Sequence, residues 1–231
     1  MPEPPVDPRW PRLLSLSVHE IRGPIGVISG YVRMLLTDRA GPLNDQQRRF
    51  LQEVEKSYAR LSRLAAEMSD LASLESGAGA FNRTTVDLRT ILDDAITGLP
   101  ELPDRTVAVE LSTNGSHAML EGDAVRLKTA FASLVMALRR ELVTSDKLFV
   151  HERRRSHDGS AVSWIAFGDS QHVERLEKAD PSSLEAFDEW RGGCGLSLAV
   201  ARRVISAHNG RIWSAGETSK AAAVVMLPVR G

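Results

Sequence analysis

At 231 residues, 42% hydrophobic and 26% charged, the chain is long enough for two small domains or one large one and too apolar for wholesale disorder. Its 29 Lys and Arg against 30 Asp and Glu leave a formal charge of −1, so no net basic field exists to hold a nucleic acid or an anionic membrane. A single cysteine, Cys194, excludes an intramolecular disulfide and any cysteine-based metal spacing, and a reduced, cytoplasmic setting is expected.

Residues 1–9 hold four prolines and few apolar groups and read as a disordered leader without the apolar core of a secretory signal. From Trp10 the pattern changes. Leu14, Val18, Ile21, Ile25, Ile28, Val32 and Leu35 recur at steps of four and three, the seam of a bundle helix. Residues 37–45 (TDRAGPLND) break it and end on an Asn/Asp pair suited to capping a second helix. That helix carries Leu51, Val54, Tyr58, Leu61, Ala65, Met68 and Ala72 and ends near the glycines of residues 76–79. Two such seams do not close a core alone, so pairing of two hairpins into a dimeric four-helix bundle is expected.

Beyond Gly79 the texture is mixed. A helix is expected at 88–97, strands at 106–111, 148–152 and 162–167, helices from Asp123 and Leu196, and closing strands near 211–214 and 222–227. This interleaving lacks the regular alternation of a doubly wound sheet and predicts an α/β layered domain over 84–231 behind a hairpin over 10–78. No apolar run approaches the ~18 residues that a membrane helix needs.

The chemistry concentrates in residues 17–24, Ser-Val-His-Glu-Ile-Arg-Gly-Pro. His19 follows a seam residue and should stand at the edge of the bundle surface, where an imidazole can act as a nucleophile toward phosphorus. Glu20 beside it can accept a hydrogen bond from one ring nitrogen and leave the other lone pair free. Pro24 removes the hydrogen bond to the Glu20 carbonyl and predicts a kink beside His19. A lone helix histidine is usually only solvated. The joint pattern H-E-x-R-x-P, at average residue frequencies, arises by chance in about one chain of this length per thousand.

HEIRGP resembles the phosphoacceptor box of bacterial two-component sensor histidine kinases, and residues 13–75 are similar to that family's dimerisation and histidine-phosphotransfer hairpin throughout. The remainder resembles the family's ATP-binding domain: FNRTTVDLRTILDDAI its opening segment, GDAVRLKTAFASLVMALRRE its asparagine box, SWIAFGDS its first glycine box, FDEW its phenylalanine box, GGCGLSLAVARRVISAHNGRIW its last glycine box and VVMLPV its final strand. The resemblance implies ATP with magnesium as cofactor, a response-regulator receiver domain as partner, and a homodimer.

Carried over residue by residue, the nucleotide site departs from the family. The positions matching its metal-binding asparagines are Ser133 and Ala137, and Ala137 has no oxygen for a hard cation. Arg140 stands where a phosphate-contacting lysine is usual and keeps the charge. Asp169 matches the aspartate that reads adenine, but the glycines after it are replaced in Ser170-Gln171-His172-Val173. Gly193 and Gly195 match the last glycine box, with Ser197 in place of its third glycine. On the hairpin, Gly23 stands where the family usually has Thr or Asn to position a dephosphorylating water.

These losses imply weak or absent ATP binding and a phosphotransferase in which His19 exchanges a phosphoryl group with a regulator aspartate after receiving it from another phosphorylated protein. A fully active autokinase is the first alternative and a non-catalytic scaffold that binds a regulator or kinase the second. A scaffold would need neither His19 nor Glu20. His151, His157, His172 and His208 lack partners at metal-ligand spacing, and Arg153–Arg155 reads as a solvated hairpin face.

Overall fold

Pro11, with no N–H to leave unsatisfied, sits in the first turn of helix α1 (Trp10–Leu36), which continues unbroken through Pro24. The computed structural model describes residues 9–77, 79–113, 117–190, 195–216 and 220–230. Of the expected leader only Arg9 is therefore described, and Gly193 and Cys194 lie outside the described residues. The chain divides into two units, one ending at Gly79 and one beginning at Ala80.

In the first unit α1 packs against α2 (Asp45–Glu75) as a hairpin. Asn44 and Gln47 form a reciprocal capping box: the Gln47 amide donates to Asn44 Oδ1 at 2.8 Å and the Asn44 amide to Gln47 Oε1 at 3.0 Å. The connection is fixed by Arg48, whose Nη2 grips both oxygens of Asp38 at 2.8 and 3.0 Å while Nη1 donates to the Leu36 carbonyl. The expected seam of α1 splits. Leu14, Val18, Ile25 and Val32 are buried, whereas Ile21 and Ile28 remain 41% and 44% exposed. At about 100° per residue the latter two stand one flank away from the buried row, so the apolar stripe is wider than one partner helix covers.

The second unit begins with β1 (Thr84–Asp87), α3 (Leu88–Thr97), β2 (Ala108–Thr113), β3 (Met119–Gly122) and α4 (Ala124–Glu141). It continues with β4 (Lys147–His157), β5 (Ser160–Gly168), α5 (Ser170–Glu177), a 3-10 turn at Pro181–Ser183, β6 (Glu185–Ala186), α6 (Ser197–Ala207), β7 (Arg211–Ser214) and β8 (Ala223–Pro228). Strands β1 and β3 form a small antiparallel pair. The main sheet runs β2-β4-β5-β8-β7-β6, with β2 and β4 parallel and the other neighbours antiparallel. Asp158 and Gly159, at φ 49° and 76°, make the two-residue turn between β4 and β5, a conformation that glycine adopts without a Cβ penalty.

The two faces of β5 alternate as the pleat requires. Phe167 meets Phe131 of α4, with ring centroids 6.5 Å apart, on the face covered by helices. Val162, Trp164 and Ala166 point the other way and form a second core with Val173 and Leu176 of α5 and with Ala222, Val224 and Met226. Helix α5 is not among the elements that the sequence predicts. It explains why β5 and β8 are nearly continuous apolar runs: both faces of the central sheet are covered.

Candidate functional site

His19 and Glu20 are exposed on α1, one and two residues beyond Val18, which is 2% exposed. Ser17 is held against the helix by donation of its hydroxyl to the Leu13 carbonyl at 2.9 Å. An open recess lined by Arg9, Arg12, Leu13, Ser15, Leu16 and His19 lies on the N-terminal side of the imidazole. A phosphoryl donor or acceptor can therefore reach the ring, with the Arg12 cation bordering the approach. The hydrogen bond expected between His19 and Glu20 is not made among the described residues, because adjacent helical positions diverge by about 100°. Helix α1 runs through Pro24 without interruption to Leu36.

In the second unit Ser133, Ala137 and Arg140 lie along α4, Asp169 precedes α5 and Gly195 precedes α6. Ser133 is half-buried and Ala137 fully buried on α4, with the Ala137 methyl in the core rather than at a surface. Arg140 is exposed in the last turn of α4. Gly195 precedes α6 at φ +65°, where any other residue would be strained.

Asp169 follows β5 and is the N-cap of α5. Its Oδ1 accepts from the amides of Gln171 at 3.1 Å and His172 at 2.9 Å, and the His172 Nδ1 lies 2.8 Å away. Burial alone would raise the Asp169 pKa, but the His172 amide and imidazole, with the Gln171 amide, outweigh it and hold the carboxyl below its usual range. The carboxylate that the resemblance assigns to adenine is thus engaged by its own helix. The signal was legible: an Asp followed four and seven residues later by Val173 and Leu176 is a cap before an amphipathic turn.

His151 and His208 hold structural partners. His151 Nδ1 lies 2.8 Å from Glu177, whose second oxygen takes Arg153 Nε at 2.6 Å. His208 is buried, its Nδ1 2.7 Å from the Val204 carbonyl and its Nε2 accepting the Asp123 amide at 2.9 Å. No group of three or more His, Cys, Asp or Glu able to hold a metal ion occurs among the described residues.

Residues 12–77 match the His Kinase A (phospho-acceptor) domain family. The chain is 30% identical over 205 residues to the sensor-like histidine kinase SenX3 of Mycobacterium tuberculosis, covering 85% of this chain and 48% of that protein. It is 28% identical over 223 residues to the probable sensor histidine kinase TcrY of the same organism, covering 92% and 44%. The chain belongs to the two-component sensor histidine kinase family. It spans about half the length of the curated relatives it matches. Among solved structures, full-length ShkA in complex with AMPPNP aligns with a TM-score of 0.67 at 20% identity, over 95% of this chain and 46% of that one. The Acinetobacter baumannii histidine kinase AdeS aligns at 0.56 and 17% identity, over 92% and 98%. These place the hairpin and the α/β unit within the family's architecture. No described helix is long and apolar enough to cross a membrane.

Proposed function

We propose that this chain is a phosphotransfer member of the histidine kinase family: His19 accepts a phosphoryl group and exchanges it with the aspartate of a response-regulator receiver domain. The observation that carries the reading is the placement of His19, exposed beside buried Val18 within a segment that matches the phospho-acceptor domain. In the forward step one imidazole nitrogen attacks phosphorus, a P–N bond forms and the P–O bond to the donor breaks. The proton on the other ring nitrogen stays or passes to solvent. In the second step a receiver carboxylate oxygen attacks phosphorus, the P–N bond breaks and the imidazole is regenerated. Glu20 is a positioning residue that biases the ring by its charge.

The nucleotide that belongs with the family's second domain fits poorly here. Full-length ShkA is in complex with AMPPNP, so a structural relative takes an adenine nucleotide. In this chain Ala137 offers a magnesium ion no oxygen, and Oδ1 of Asp169 is already engaged by the amides and imidazole of α5. We therefore derive no step through ATP, and the donor to His19 is another phosphorylated protein. Calorimetry of the full chain with ATP and magnesium tests this. No affinity tighter than about 100 μM is expected, and a magnesium-dependent affinity near or below about 10 μM would restore the autokinase reading.

A further inference from the structure

The face of the sheet covered by α5 carries a cleft of about 210 Å³ lined by Arg155, His157 and Lys178 against the single carboxylate of Asp180, and we propose that it binds a phosphate group of a small molecule. Its floor is β4 and β5. Arg155 and His157, two apart on β4, point to the same face, and Trp164 and Val162 of β5 lie beside them. Its wall is the segment that leaves α5, with Lys178, Ala179, Asp180 and Pro181.

The wall is held in place by hydrogen bonds that leave donors over. Trp164 Nε1 donates to the Leu176 carbonyl at 2.8 Å, and Arg155 Nη1 donates to the Ala179 carbonyl at 3.0 Å. The Arg155 guanidinium stacks on the Trp164 ring at 4.5 Å, which fixes its plane. No carboxylate lies within ion-pair distance of Arg155 or Lys178 among the described residues. Glu177 of α5 attracts Arg155 at longer range, but its two oxygens are committed to His151 and Arg153.

One carboxylate does line the cleft. Asp180 Oδ1 accepts both the amide and the hydroxyl of Ser182, at 2.9 and 2.6 Å, so it serves the turn that follows. His157 lies 3.4 Å from the exposed Asp158. A half-buried guanidinium with one of five N–H groups used, beside a free ammonium and an imidazole, offers several donors to one ligand. A tetrahedral dianion with three acceptor oxygens satisfies such a set better than a carboxylate with two.

The test follows the Trp164 indole N–H resonance in the full chain, identified by its loss in Trp164→Phe, during titration with inorganic phosphate and, at matched ionic strength, with acetate. A saturable shift with phosphate is expected, weakened about tenfold in Arg155→Gln and in Lys178→Gln, with no saturation by acetate. Lys178 is exposed, so its substitution leaves the fold intact and keeps the test valid if Arg155→Gln unfolds. A response linear to about 50 mM phosphate, an unchanged affinity in Lys178→Gln, or equal binding of acetate would each overturn the proposal.

Discussion

The Asp169 carboxylate and the His172 imidazole meet at 2.8 Å across the first turn of α5, on the same oxygen that accepts the His172 amide. Capping and base recognition make different demands on this side chain. Asn caps a helix about as well as Asp, while Ala costs about 1 kcal/mol. Asp169→Asn should therefore leave the denaturation midpoint nearly unchanged, and Asp169→Ala should lower stability by about 1 kcal/mol, with ATP affinity weak in both. Chemical denaturation of the three proteins checks this. A stable Asp169→Ala protein would show that the cap is idle.

His19 is the expected phosphoryl carrier. With a competent phosphodonor, acid-labile label should vanish in His19→Gln and fall several-fold in Glu20→Gln. Label persisting in His19→Gln, or mapping to His151 or His208, refutes the assignment. Both of those rings already hold structural partners, which makes either outcome chemically costly.

The hairpin leaves Leu16, Val27, Tyr31 and Phe50 each about 60% exposed, together with the flanking Ile21 and Ile28. So wide an apolar surface is sparingly tolerated by a lone hairpin and is expected to be covered by a second copy. Light scattering should give a dimer at micromolar concentration and a monomer for Ile28→Asp. A monomeric wild type would remove the bundle.

The seam residues illustrate what the sequence carries. Periodicity in Leu14, Val18, Ile25 and Val32 reports a buried face because side-chain burial repeats with the helix, and the Asn44 cap is a local signal that needs no tertiary context. The phospho-acceptor box was legible because its residues are contiguous. Helix α5 was not read, because likeness to a glycine box outweighed the weaker local signal of Asp169, Val173 and Leu176. The bonds of Arg153 and Arg155 were also hidden. Their partners, Glu177, Trp164 and Ala179, are brought near by the second core and by nothing in the neighbouring sequence.

The last expectation concerns pH and rests on His208. Its Nε2 accepts the Asp123 amide and its Nδ1–H donates to Val204, so the folded state holds the neutral ring. The groups around it agree. Burial is the largest cause and lowers its pKa, Arg83 and Arg126 lower it further, and the Val204 carbonyl and Asp123 oppose them without reversing the direction. A histidine with a depressed folded pKa binds fewer protons folded than unfolded, so stability rises with pH. The contribution is complete above the unfolded value of about 6.5 and is lost as pH falls below it. Protonation would turn Nε2 into a donor facing the Asp123 amide and leave that buried N–H unsatisfied, at about 1–3 kcal/mol. Phe81 packs edge-on against the ring at 5.3 Å, and the Asn82 amide bonds Asp123 Oδ2 at 3.0 Å, so the opening segment of the second unit should loosen with it. The melting temperature of the full chain should fall by several degrees between about pH 7.5 and about pH 5.5, with amides of residues 81–83 losing hydrogen-exchange protection first. His208→Gln should be less stable at the higher pH and should flatten the slope. An equal pH slope in wild type and His208→Gln would assign the dependence to other groups.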